Sequence, residues 1–410
     1  MAGWVKKNRG RKMKISAKLT LLTLILTLVL LLLTTSFVST AIATPASTEV
    51  TRLYGQDRYV TATKIADALA AQFNLNLGSG DKFDNVVLAS GNNYPDALSG
   101  APLAKSLKAP ILLLNKTPED SQITWNYLES HVRKSGKIIL LGGTGVIPES
   151  FKKQLLKMGF SSENIYQYGG KDRNETSLII AKALSSKPYL VTLVSSVNFY
   201  DAMSVATLSA ANKAPILLVP PSGLTAEQKQ YLDKAVSEDC AVDVFGEITN
   251  TIAGRNIRDN YPDAHLFNLL GNQIFHTNEL NRYASNSLWA HLTVSVCPSP
   301  VIYLATGEDY PDALTGAVYA SGRYAGYYPG YILLTKPDEL PAETIHVLNH
   351  MAYYAKLAST SADDKSITLD PIVYPKVVIF GGPGAVSYKV GSQVQSILNS
   401  PGVPKDVSEP

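Results

Sequence analysis

The heptapeptide YPDALSG at residues 94–100 returns as YPDALTG at 310–316, and a blurred third copy, FYDAMSV, stands at 199–205. Matching the aspartates gives Asp96, Asp201 and Asp312, separated by 105 and 111 residues, the spacing of a small domain. The surroundings repeat as well. Each copy follows an apolar run (VVLASG from Val86, LVTLVSS from Leu190, VIYLATG from Val301) and precedes another (ILLL from Ile111, ILLV from Ile216, ILLT from Ile332). A third apolar run closes each unit, from Lys137, Ala241 and Lys376. Such a period makes the chain one supersecondary module written three times, and this constrains the fold more than any other property of the sequence.

Within a unit the apolar runs are short, nearly continuous and rich in Val, Ile and Leu. They alternate with stretches of helical period, which predicts an α/β module with parallel strands covered by helices on both faces. In the first unit the pattern predicts helices over 57–71, 95–107, 118–131 and 148–158. Strands are predicted over 86–90, 111–114 and 138–141, with a fourth over 165–168 passing into the next unit. The ILL segments are expected to be central strands. With 45% hydrophobic residues, each unit has enough apolar side chains for its own core.

The first 43 residues stand outside the repeat. Seven of the 37 basic residues lie there, at positions 6 to 18, and none of the 34 acids; a charge-free run follows to the small triplet Ala41-Ile42-Ala43. This is the layout of a secretory signal peptide cut before Thr44; the rival is an uncleaved anchor, since the run is long enough to span a bilayer. The expected division is therefore a leader over 1–43 and repeats over 44–163, 164–263 and 264–410. The whole chain is +3, but residues 44–410 alone are about −4. A general positive field for nucleic acid is thereby excluded, and an anionic partner would need a local group of arginines.

Such a group recurs. YGQDRYVTATKIA (54–66), GGKDRNETSLIIA (169–181) and NRYASNSLWA (281–290) align so that Arg58, Arg173 and Arg282 fall in register. A basic residue in the first turn of a helix opposes the dipole. It needs a partner, either a carboxylate such as the heptapeptide Asp or an anion from outside, and Arg suits both. Asp96, Asp201 and Asp312 read in turn as helix-start residues or as groups that orient these arginines. The turns GGTG (142–145) and GGPG (381–384) evoke a phosphate cradle, but neither has the GxGxxG or P-loop pattern, and tight strand-to-helix turns are the plainer reading.

Catalytic constellations are hard to find. His346 and His350 are spaced i, i+4, yet HVLNH lacks the glutamate of a zinc-protease helix and reads as a helical face. No histidine recurs across the three units, no nucleophile elbow is present, and no cofactor or metal is expected. Cys240 and Cys297 belong to different repeats, and either pairing or simple burial is open to them. Tyr319, Tyr324, Tyr327, Tyr328 and Tyr331 offer stacking surface for sugars or core packing.

The segments RLYGQDRYVTATKIA, VVLASGNNYPDALSGAPLAKSLKAPILLL and KIILLGGTGVIPESF resemble the cell-wall-binding repeat type 2 that occurs in tandem triplets on Gram-positive surface proteins. The similarity covers nearly all of the chain after the leader and is weakest in the second repeat and around 270–281. The resemblance implies three Rossmann- or Toprim-like modules packed with pseudo-threefold symmetry. It also implies secretion to the cell wall and non-covalent attachment to an anionic polymer there, a polysaccharide or a teichoic-type chain. In that family the triplet usually accompanies an effector domain, sometimes an amidase; within this chain no stretch is left for one. A non-catalytic anchor is the expectation, and an amidase-like hydrolase with its site in the divergent third repeat is the alternative.

Overall fold

A computed structural model describes residues 48–93, 97–266, 281–294, 299, 301–322, 329–360 and 376–399. The leader, Asp96, Cys297 and Tyr324, Tyr327 and Tyr328 lie outside the described residues. Twelve strands form three four-stranded sheets, each wholly parallel among the described residues. The first sheet has the order β3 (Ile111–Leu114), β2 (Phe83–Ser90), β4 (Val132–Leu141), β5 (Ile165–Tyr168). The second repeats it as β7 (Ile216–Val219), β6 (Leu190–Ser195), β8 (Ala241–Phe245), β9 (His265–Leu266). The third runs β11 (Ile332–Thr335), β10 (Val301–Thr306), β12 (Lys376–Phe380) and then β1 (Glu49–Leu53). The sheets are offset from the sequence repeats: the strand that leads into each repeat completes the sheet of the repeat before it. Because β1 pairs with β12, from Glu49 opposite Lys376 to Leu53 opposite Phe380, the first strand closes the three modules into a ring.

The strands form where expected, but the ILL segments are edge strands, not central ones. They are buried nonetheless: Leu112, Leu217 and Leu333 are fully inaccessible. The cause is the first helix of each module. The helices α1 (Arg58–Gln72), α5 (Arg173–Leu184) and α9 (Arg282–Val294) lie on β3, β7 and β11. Thus the hydrophobic run signals two covered faces, whatever the strand's place in the sheet.

The heptapeptide copies start the helices at the centre. The helices α6 (Tyr200–Asn212) and α10 (Pro311–Ala320) begin within their copies, and Pro311 occupies the first helical position, where its missing N–H costs nothing. The first copy differs. Residues 97–99 form a turn, and α2 spans only Ala101–Ser106, instead of the predicted 95–107. Pro102 is the reason: it has no N–H to give and its ring clashes with the carbonyl four residues earlier, so a helix can start there but not run through. The three central helices pack against one another, and each first helix packs on the central helix of the module before it: α1 on α10, α5 on α2, α9 on α6. Small residues in the copies (Ala97, Ala202, Ala313), each under 3% exposed, permit these close approaches.

The outer helices are α3 (Gln122–His131), α4 (Glu149–Lys157), α7 (Ala226–Ser237), α8 (Ile252–Asn260), α11 (Ala342–Thr360) and α12 (Tyr388–Asn399). In each module the third helix is tied to its edge strand in the same way. Thr124, Gln228 and Thr344 donate from their side chains to the carbonyls of Leu113, Leu218 and Leu334. Of the tyrosines considered for sugar stacking, Tyr331 is buried and Tyr319 packs edge-on against Tyr303 and Phe380, so both belong to the core. Cys240 is a buried free thiol, pushed up to about 11 by that burial. Among the described residues no helix is long and apolar enough to cross a membrane.

Candidate functional site

The three arginines occupy equivalent places. A capping side chain fixes each helix start: Asp57 accepts from the Val60 N–H, Asp172 from Asn174 and Glu175, and Asn281 from Tyr283 and Ala284, all at 2.8–2.9 Å. The next residue is the arginine. Its Nη1 donates to the carbonyl just past the end of the module's central strand: Arg58 to Gly91 at 2.7 Å, Arg173 to Ser196 at 2.7 Å, Arg282 to Gly307 at 2.6 Å. A charge-assisted hydrogen bond of this kind offsets the unfavourable helix dipole. The partner shared by all three is therefore a backbone carbonyl, which residue patterns do not display.

Beyond this clasp the junctions differ. Where the third module meets the first, Arg58 Nη2 donates to Asp309 Oδ2 at 2.9 Å, and the Tyr310 hydroxyl donates to the Ser90 carbonyl at 3.1 Å. A cleft of about 380 Å³ opens here, with Arg58 facing Asp57, Glu308, Asp309 and Asp312. The Arg58 side chain is 36% exposed within it. Where the second module meets the third, the Arg282 guanidinium lies over the rings of Phe199 and Tyr200, at 5.8 and 5.7 Å, with Glu308 at 3.5 Å. At the remaining junction residues 94–96, which align with Phe199–Asp201 and Tyr310–Asp312, lie outside those described.

Of the two sequence readings, Asp201 and Asp312 match the helix-start one. Asp201 and Asp312 stand in the first turns of α6 and α10, each against the glycine that ends its own module's third strand. A Cβ on Gly246 would lie 2.1 Å from the Asp201 carboxyl carbon, and one on Gly381 2.3 Å from Asp312 Oδ2. Both glycines have positive φ, +85° and +102°. The glycine turns are thus seats for a carboxyl group. Asp201 Oδ2 accepts from the Glu247 N–H at 3.0 Å and from Asn198 at 3.4 Å. Burial pushes Asp201 up to about 7 and Asp312 up to about 6; Arg58 works against the second shift. Among the described residues no ion pair joins Arg58 or Arg282 to Asp201 or Asp312; the acid that Arg58 takes is Asp309. Only the charge in EDYPD, where the other copies read NNYPD and VNFYD, could have pointed to it.

Three parallel α/β modules joined into a ring, each presenting the same arginine at its junction, define a class of tandem-repeat protein whose surface features come in threes. The sequence model of the family described as cell wall binding domain 2 (CWB2) matches residues 52–152, 167–255 and 279–391, and the chain belongs to that family. Membership places it at the cell wall or cell surface. It is 24% identical over 355 residues to the N-acetylmuramoyl-L-alanine amidase LytC of Bacillus subtilis, covering 85% of this chain and 63% of that protein. It is 26% identical over 321 residues to the amidase enhancer of the same organism, covering 76% and 38%. Among solved structures it is similar to Cwp8 from Clostridium difficile (TM-score 0.64, 21% identity, 85% of this chain and 52% of that one). Cwp6 from the same organism gives a TM-score of 0.63 at 19% identity, covering 87% and 48%. The chain spans about half of each of these structures and less than two thirds of each curated relative.

Proposed function

We propose that the protein, exported with loss of its 1–43 leader, binds non-covalently to an anionic polymer of the wall through the clefts between its modules and performs no catalysis of its own. The observation that carries this reading is the arginine clasp, present three times with the same geometry. The hydrogen bonds of Arg58 and Arg282 use one or two of the five guanidinium donors, and both side chains remain about one-third exposed, within reach of a carboxylate or phosphate. The carboxyl groups around Arg58 suit the hydroxyls of a sugar chain, which donate to them. In this reading Arg58, Arg173 and Arg282 meet the polymer's charge. Asp201 and Asp312 hold the turns that shape the clefts, and Asp96 is their counterpart in the sequence. Three weak sites on a repeating polymer add up, because each further contact forms at high effective concentration.

The test is sedimentation with purified wall sacculi, before and after the anionic polymers are chemically stripped. Wild-type protein is expected to bind only unstripped walls. The Arg58→Ala, Arg282→Ala double variant should bind at least about tenfold more weakly, with the difference shrinking as salt rises. Binding to stripped walls, or a double variant that matches wild type at low salt, overturns the reading. A second reading is a hydrolase with its site in the divergent third repeat, and release of free amino groups or reducing sugar from the sacculi would establish it.

A further inference from the structure

The i, i+4 histidines of the third module acquire a companion in the fold. His346 and His350 lie on one face of α11, as their spacing requires, and α9 packs on that face. It brings His291 to them. The ring centroids are 5.1 Å apart for His291 and His346, 4.5 Å for His291 and His350, and 4.6 Å for His346 and His350. One nitrogen from each ring lies within 4.8 Å of the other two, His350 is buried and the others are half-buried.

Nothing in the shared fold requires this trio. The Thr124, Gln228 and Thr344 side-chain ties bring the third helices of the modules into register. In that register His346 aligns with Asn126 and Gln230, and His350 with Ser130 and Lys234. Along the first helices His291 aligns with Asp67 and Lys182. In the first module this same contact between helices is made by a Tyr127 hydroxyl donating to Asp67 at 3.0 Å. A module thus closes its helix pair without a histidine, and the third gathers three.

We propose that His291, His346 and His350 form a binding site for a divalent transition-metal ion of the zinc class. Three imidazole ligands, with no carboxylate in the set, select Zn²⁺ and its neighbours over Mg²⁺ or Ca²⁺. With metal–nitrogen distances of about 2.0–2.1 Å, tetrahedral ligands stand roughly 3.4 Å apart. Closing the present separations to that value takes shifts of about 1–1.5 Å, within the reach of imidazole rotation about two side-chain torsions. The ion would fasten α9 to α11, and three protein ligands leave its fourth position for water or an external donor.

Equilibrium dialysis of the full chain, first stripped with EDTA, against Zn²⁺ or Co²⁺ tests the site. About one equivalent should bind. The Co²⁺ form should show the intense visible absorption of a four-coordinate nitrogen site, and Zn²⁺ should raise the melting temperature of wild type. His346→Gln, at a half-buried ligand, should lower affinity by more than about tenfold, since loss of even an outer-shell partner costs that much, and should abolish the thermal shift. Should the buried His350→Gln variant fail to fold, His346→Gln still decides the question. Wild type that takes up no more metal than His346→Gln overturns the proposal, as does undiminished binding in the His291→Gln, His346→Gln double variant.

Discussion

Two junctions in this ring carry the same arginine in the same clasp and surround it differently. Arg58 sits in an acidic cleft and pairs with Asp309; Arg282 lies over Phe199 and Tyr200. The hydrogen bond to the strand-end carbonyl is common to both. What is kept across the repeats is therefore the link between first helix and sheet, and what varies is the surface that the junction offers. The two arginines differ accordingly in how they respond to salt and to pH.

The largest effects should come from what the junctions share. Leu112→Ala and Leu333→Ala remove equivalent, fully buried side chains under α1 and α9, and each should cost about 2–5 kcal/mol in denaturant unfolding. A marked inequality between the two would show that one module is held up by its neighbours and not by its own core.

The buried carboxyls come next. Asp201 has its folded pKa raised to about 7, chiefly by burial, against roughly 3.9 in an unfolded chain. The native state thus holds an extra proton between those values, so this contribution to stability is full below pH about 4 and is lost as pH rises through about 7. Asp201→Asn should remove that decline and gain on the order of 2–4 kcal/mol over wild type at pH 8, with little difference at pH 4. Asp312, raised only to about 6 because Arg58 opposes the burial, should give the same pattern with a smaller amplitude and a lower midpoint. Equal amplitudes would mean that burial and its opposing charges balance alike at the two sites.

Arg58→Ala and Arg282→Ala should each lower stability by about 1.5–3 kcal/mol, the worth of a hydrogen bond from a charged group. The low end is expected, since a third of each side chain is in water. Raising salt should shrink both effects, since each includes an exposed ion pair, and the Arg58 effect more, because its pair is the shorter (2.9 against 3.5 Å) and Arg282 also has ring contacts. The smallest change is Asp309→Asn. It breaks only the exposed pair and should cost no more than about 1 kcal/mol, vanishing at high salt; a larger loss would make the acid a structural member of the clasp.

Much of this was open to reading before any coordinates. Triplication, the α/β class, most strand positions and the register of Arg58, Arg173 and Arg282 follow from spacing alone, because strands and amphipathic helices impose their periods on the residues that build them. A paired substitution also carried a signal. Tyr59 and Tyr283 follow the first and third arginines, and glycines stand at 91 and 307, where a Cβ would come within 2.7 and 2.6 Å of those rings. The second repeat has Asn174 and Ser196 instead. Pro102 was equally legible as a stop to the helix expected over 95–107, since its ring and missing N–H act locally.

Other features had no local cause. The covering of the edge strands β3, β7 and β11, the pairing of β1 with β12, the Asp309 partner of Arg58 and the meeting of His291 with His346 and His350 all join residues distant in the chain. Sequence determined the module, because helix and strand periods, caps and proline breaks are short-range effects of the backbone. Tertiary structure decided the junctions, because which carbonyl, ring or carboxyl faces an arginine depends on how three similar units close on one another.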